Sequence, residues 1–213
     1  MDDHSQRRAS GAVLILAGVL EIVLLALHPE GSARDFAGML REEANGRPID
    51  ALVHGGFIVL LGIQLVGYRA LSLRLGQDRT SVLTAGVFFA MGTAALSASL
   101  FIDGLLVPRL ANHFVNAAAA QQEAARPVFA LAGSAIALLM PIGLAFHGVG
   151  VTAWSIRLLG LNRIAGSAAL FLGLAILLAA IAATASPMLV AAAIPATALW
   201  SALAGVLLWR RTL

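Results

Sequence analysis

Apolar residues in this chain fall in long, nearly unbroken runs separated by short polar stretches. The runs cover roughly 10–28, 50–73, 81–107, 128–156, 164–185 and 188–209. About 20 residues at 1.5 Å per residue cross a hydrocarbon core of ~30 Å. Each run therefore predicts a membrane-spanning helix, and together they predict an all-α integral membrane protein: a six-transmembrane-helix bundle forming a single membrane domain over 1–213. The chain is 60% hydrophobic and only 12% charged, with a mean hydropathy of +0.90. That balance excludes an ordinary soluble globular domain.

Two of the polar connections carry helical patterns of their own. In GSARDFAGMLREEANGRP, Ser32 and Asp35 have the spacing of a capping box, Phe36, Met39 and Leu40 share a face, and Asn45-Gly46 followed by Pro48 reads as a stop. A short amphipathic surface helix is expected there. The third connection, PRLANHFVNAAAAQQEAARPVF, predicts either a second such helix between Pro108 and Pro127 or an outward extension of the fourth span. Pro141 and Pro195 lie inside the fourth and sixth spans and are expected to kink them. Small residues four apart (Ala95 and Ser99; Ala175, Ala179 and Ala183; Thr197, Ser201 and Gly205) point to close helix packing.

Charge orients the bundle. The net charge is +3 and all 14 basic residues are arginines, but they cluster at span ends rather than on a nucleic-acid-binding face, so no nucleic-acid partner is implied. Arg7, Arg8, Arg69, Arg74, Arg79, Arg157, Arg163, Arg210 and Arg211 fall on one side. Arg34, Arg41, Arg47, Arg109 and Arg126 fall on the other, mixed with acids. The positive-inside rule places both termini in the cytoplasm of a bacterial-type inner membrane. Tyr68, Trp154 and Trp209, each followed by arginine, suit an interfacial aromatic belt on that side. MDDHSQRRAS resembles the charged start of a signal peptide, but Glu21 interrupts the apolar segment and no A-x-A site follows, so the first span is expected to be retained. There is no cysteine, hence no disulfide framework, thiol nucleophile or thiolate metal site.

Ionisable groups at membrane depth are the anomaly, because each costs roughly 2.5–3.5 kcal/mol at a helix centre on insertion scales. Glu21 falls near the midplane, seven residues and ~10 Å from His28 on the same helical face. His54 and Asp103 fall at similar depths below the outer ends of the second and third spans, so His28, His54 and Asp103 share one outer layer, with His113 placed to cap it. His147 matches the depth of Glu21, making a Glu21–His147 pair geometrically open if the first and fourth spans touch.

The residue types in this set suit zinc or iron. However, no motif such as H-E-x-x-H places two ligands on one helix, and although His28 and His54 roughly match in depth as haem ligands would, no second histidine pair supports a haem. Serine nucleophile chemistry is dismissed, because LAGSAIA lacks the nucleophile-elbow pattern. The descent from His28 to Glu21 and His147 also resembles a proton relay or transport path.

The leading expectation is a non-enzymatic bundle in the lipid bilayer, free to self-associate as a homo-oligomer. It would bind a small polar or cationic ligand through His28, His54, Asp103, Glu21 and His147, with His28, His54 and Asp103 as the metal ligands. The alternatives are a metal-dependent enzyme acting on a lipid, with Glu21 or Asp103 as general base, and a structural or partner-binding bundle.

Overall fold

A computed structural model describes residues 3–28, 31–183 and 188–210, and describes side chains for 5–28, 31–183 and 193–210. Pro29 and Glu30, the turn expected after the first span, and the end of the fifth predicted span lie outside these residues. The protein is all-helical, with no strand among the described residues. Its elements are α1 (Asp3–Ala26), α2 (Phe36–Leu75), α3 (Thr80–Phe101), a π-turn (Ile102–Leu106), α4 (Val107–Phe114), α5 (Ala119–Leu161), α6 (Arg163–Ala183) and α7 (Met188–Trp209).

Five helical stretches are long and apolar enough to cross a membrane: Ser5–Ala26, Phe36–Leu75, Thr80–Phe114, Ala119–Leu161 and Arg163–Ala183. Ala193–Trp209 is a shorter apolar stretch. The polarity of the bundle is inverted relative to a water-soluble protein. Glu21, Asp50, His54, Gln64 and His147 are buried, while Val66, Leu131, Ile164 and Phe171 are exposed. Apolar outside with polar inside is the arrangement that lipid imposes.

The helices close a ring. Each packs on its neighbours in the order α1, α2, α3, α5, α6, α7 and back to α1. The closest crossings are made by glycine. A Cβ on Gly205 would stand 2.5 Å from the Gly11 carbonyl oxygen, and one on Gly148 would stand 2.8 Å from the Leu177 amide nitrogen, so α1–α7 and α5–α6 approach backbone to backbone. On α6 the expected Ala175–Ala179–Ala183 stripe is only partly turned inward. Ala169, Gly173, Ile176 and Ala180 carry the buried face, since that is the side Gly148 presents to.

Three helical runs exceed the bilayer. At ~1.5 Å per residue the 40 residues of α2 measure roughly 60 Å, twice a ~30 Å core. The separate surface helix expected over the first connection does not form. Asp35, not Ser32, caps the helix by accepting from the Gly38 N–H, and the helix then passes Asn45-Gly46 and Pro48 without stopping. Ser32 instead donates to Glu42, as do the backbone amides of Ser32 and Ala33. A proline removes one helical hydrogen bond, but Leu40, packed with Val107, Ala111 and Phe129, holds the extended helix against α4 and α5. The third connection resolves the same way: α5 starts at Ala119 and runs through Pro127, extending the fourth span.

The opposite half of the bundle is filled by aromatic rings. Tyr68 stacks on Trp154 at 5.2 Å and on Trp200 at 6.0 Å, with Phe89 edge-on at 4.4 Å. Tyr68 and Trp154 are thus core residues and not members of an interfacial belt. Trp209 remains half exposed. Trp154 donates its indole N–H to Ser72 Oγ, and the Arg157 guanidinium donates to the Leu75 carbonyl, fastening α5 to α2.

Candidate functional site

The helices of the ring line a half-open cavity of about 690 Å³, within the range of small-molecule sites. His28, His54 and Asp103 line one end of it, and Glu21, Gln64 and His147 line its depth. Every sequence-predicted site residue except the peripheral His113 therefore faces one space. His113, on α4, is exposed and packs edge-on against Phe114.

At the mouth, His28, His54 and Asp103 each offer one ligand atom, and these atoms lie within 4.8 Å of one another. His28 follows the last turn of α1, and its ring meets the His54 ring edge-on, with centroids 5.0 Å apart. His54 is buried on α2. Its Nδ1 hydrogen-bonds the Asp50 carbonyl oxygen at 2.9 Å, and because a carbonyl only accepts, Nδ1 carries the proton. In the neutral ring this leaves Nε2 as a lone pair, 3.2 Å from Asp103 Oδ2. Two acceptors at that distance require a shared cation, either a second proton or a metal ion. A histidine that donates its far N–H to a backbone carbonyl is the usual arrangement around a metal. Two ligands bound at ~2.0–2.1 Å on a tetrahedral ion stand roughly 3.4 Å apart. The His54–Asp103 pair already has that separation, and a small inward movement of His28 would complete three donors.

Asp103 reaches His54 because of the π-turn. Val107 N–H bonds to the Ile102 carbonyl, five residues back, one residue ahead of Pro108. A proline ring clashes with the carbonyl four residues before it, here that of Gly104, and widening the turn relieves this. The following residue, Gly104, lies directly against His54: an added Cβ would overlap the His54 Cβ, Cγ and Nδ1. Such single widened turns are frequent at functional sites.

Two carboxylates were not among the expected site residues. Asp50 is buried beside this cluster, and Glu43 is half-buried; both interact electrostatically with His54 and Asp103. Glu43, Asp50 and His54 are seven and four residues apart and share one helical face, a signal visible only if the helix is carried through Pro48.

Deeper, the proposed Glu21–His147 contact is absent. α1 packs on α2 and α7, while α5 stands across the ring, so the two residues occupy opposite walls. Glu21 is 3% exposed, and its Oε1 accepts from Gln64 Nε2 at 2.9 Å. The other Gln64 amide hydrogen goes to Ser201 Oγ at 2.9 Å; Ser201 donates to the Thr197 carbonyl and accepts from the Tyr68 hydroxyl at 2.7 Å. Glu21 Oε2 is buried without a hydrogen-bond partner among the described residues. His147 stacks flat on Phe89, with centroids 3.9 Å apart, and its Nε2 meets Thr93 Oγ1 at 3.1 Å; Gly92 leaves room for the ring. Clamped on three sides, His147 contributes a wall of the cavity.

No family model matches the chain, and neither the curated proteins nor the solved structures contain a match to it.

Proposed function

We propose that this is a multipass membrane protein that binds a divalent transition metal ion, zinc or ferrous iron, at the mouth of an intramembrane cavity. His28 and His54 supply imidazole nitrogens and Asp103 a carboxylate oxygen. The observation that carries the reading is the convergence of these three donors from α1, α2 and the π-turn to within 4.8 Å. Two nitrogens and one oxygen suit both metals and leave coordination positions for a ligand. Glu43 and Asp50 add negative potential that favours a cation.

In this reading α7 is the sixth span, both termini are cytoplasmic as the arginine distribution directs, and the metal faces outward. The aromatic packing of Tyr68, Phe89, Trp154 and Trp200 beneath the cavity favours a site open at one end over a continuous transport path. The cavity beneath the metal ligands also favours a second reading: a metal-dependent enzyme acting on a lipid, with Asp103 or Glu21 as general base.

Metal analysis of the detergent-purified protein tests the proposal. About one zinc or iron per chain is expected, with loss of most of it in His54→Ala. A metal-free protein after equilibration with either ion, or undiminished metal in His54→Ala, would overturn it.

A further inference from the structure

We infer that the cavity binds a single-chain amphiphile whose anionic head is held at the His28–His54–Asp103 metal and whose chain carries a hydroxyl group that pairs with Glu21. The inference rests on the metal reading and names the ligand class of that site. Its starting point is Glu21 Oε2, a buried oxygen with no described partner on a residue that lines the cavity.

The donors in the hydrogen-bond network of Glu21 are already committed. Both amide hydrogens of Gln64 are used, the Ser201 hydrogen goes to the Thr197 carbonyl, and the Tyr68 hydrogen goes to Ser201. The absent partner must come from what fills the cavity, since buried polar atoms are paired in nearly every folded protein. Between the two polar ends the wall is hydrocarbon: Leu25, Phe57, Leu61, Leu96, Leu100 and Ile136. The occupant is therefore polar at its head, apolar along its middle and polar again at depth.

A hydroxyl fits Glu21 in either protonation state, because it donates to a carboxylate and accepts from a carboxylic acid. It also brings no second charge into an apolar wall. The spacing follows from α1: seven residues separate Glu21 from His28, about 10 Å along the helix, which is the reach of an extended chain of about eight carbons.

The test uses full-length, zinc-loaded protein in phosphatidylcholine nanodiscs, titrated calorimetrically with octanoate, 8-hydroxyoctanoate, dodecanoate and 12-hydroxydodecanoate. 8-Hydroxyoctanoate should bind about tenfold more tightly than octanoate, the equivalent of one well-made hydrogen bond. That preference should vanish in Glu21→Leu with octanoate binding and zinc content retained, and 12-hydroxydodecanoate should show no comparable gain over dodecanoate. Gly133→Phe, at a wall position where an added Cβ meets nothing within 4 Å, should block both acids and leave zinc in place. Zinc content is measured on every sample. Stoichiometric zinc with equal affinity for octanoate and its hydroxy derivative overturns this inference alone, as does failure of either acid to bind. Absence of zinc overturns the metal reading, and with it the head-group half of this one.

Discussion

Replacing Gly104 by alanine tests the proposed metal site. The added methyl would overlap the His54 Cβ, an atom fixed by the α2 backbone, so rotating the histidine side chain cannot relieve the contact. Either the π-turn or α2 must move. Overpacking of this kind costs about 1–3 kcal/mol, offset by about 1 kcal/mol because alanine favours helix over glycine. The net change in stability is thus modest, about 0–2 kcal/mol. Metal affinity should suffer more, because displacement of the π-turn carries Asp103 away from His54 Nε2, 3.2 Å distant in the native arrangement. Losing a supporting contact around a metal ligand typically costs 10- to 100-fold in affinity. The assay is zinc competition against a chelating dye, alongside thermal unfolding with and without zinc. Gly62→Ala on the same α2 helix is the control, since a Cβ there meets nothing within 4 Å. Wild-type zinc affinity in Gly104→Ala would refute the placement of His54 and Asp103 around one ion.

Three further outcomes follow from the same contacts. Asp50→Asn keeps the backbone carbonyl that holds His54 Nδ1 but removes a nearby negative charge, so zinc affinity should fall roughly three- to tenfold with stoichiometry intact, measured by the same competition. Tyr68→Phe removes the hydroxyl that donates to Ser201 and should lower stability by about 1 kcal/mol, seen in thermal unfolding, without altering metal content. Gly205→Val pushes a branched side chain toward the Gly11 carbonyl and should destabilise the α1–α7 crossing by about 1–3 kcal/mol or more, whereas a change at Gly86, where a Cβ meets nothing within 4 Å, should be tolerated.

The candidate residues were legible largely because lipid makes them conspicuous. A glutamate, an aspartate and three histidines within or at the ends of apolar runs stand out against their expense, and counting residues along helices placed His28, His54 and Asp103 at a common depth. The structure brings those three together at the cavity mouth. Gln64, Ser201 and Tyr68 gave no such signal, because neutral polar residues are common in spans and acquire meaning only through their partners. Glu43 and Asp50 were hidden by Pro48: the proline reads locally as a helix end, but tertiary packing of Leu40 against α4 and α5 carries the helix through it.

The sequence by itself determined the helical class, the positions of most apolar runs and the set of ionisable residues, since these depend on composition and on the fixed rise of the helix. Only the tertiary structure decided which helices touch. Depth along one axis says nothing about azimuth around the bundle, so Glu21 and His147 could share a level and still occupy opposite walls. Ring closure through the Gly11–Gly205 contact, and the seating of Gly104 in the π-turn against His54, are close approaches between residues distant in the chain. These approaches turn a scatter of costly polar residues into one cavity with two histidines and an aspartate gathered at its mouth.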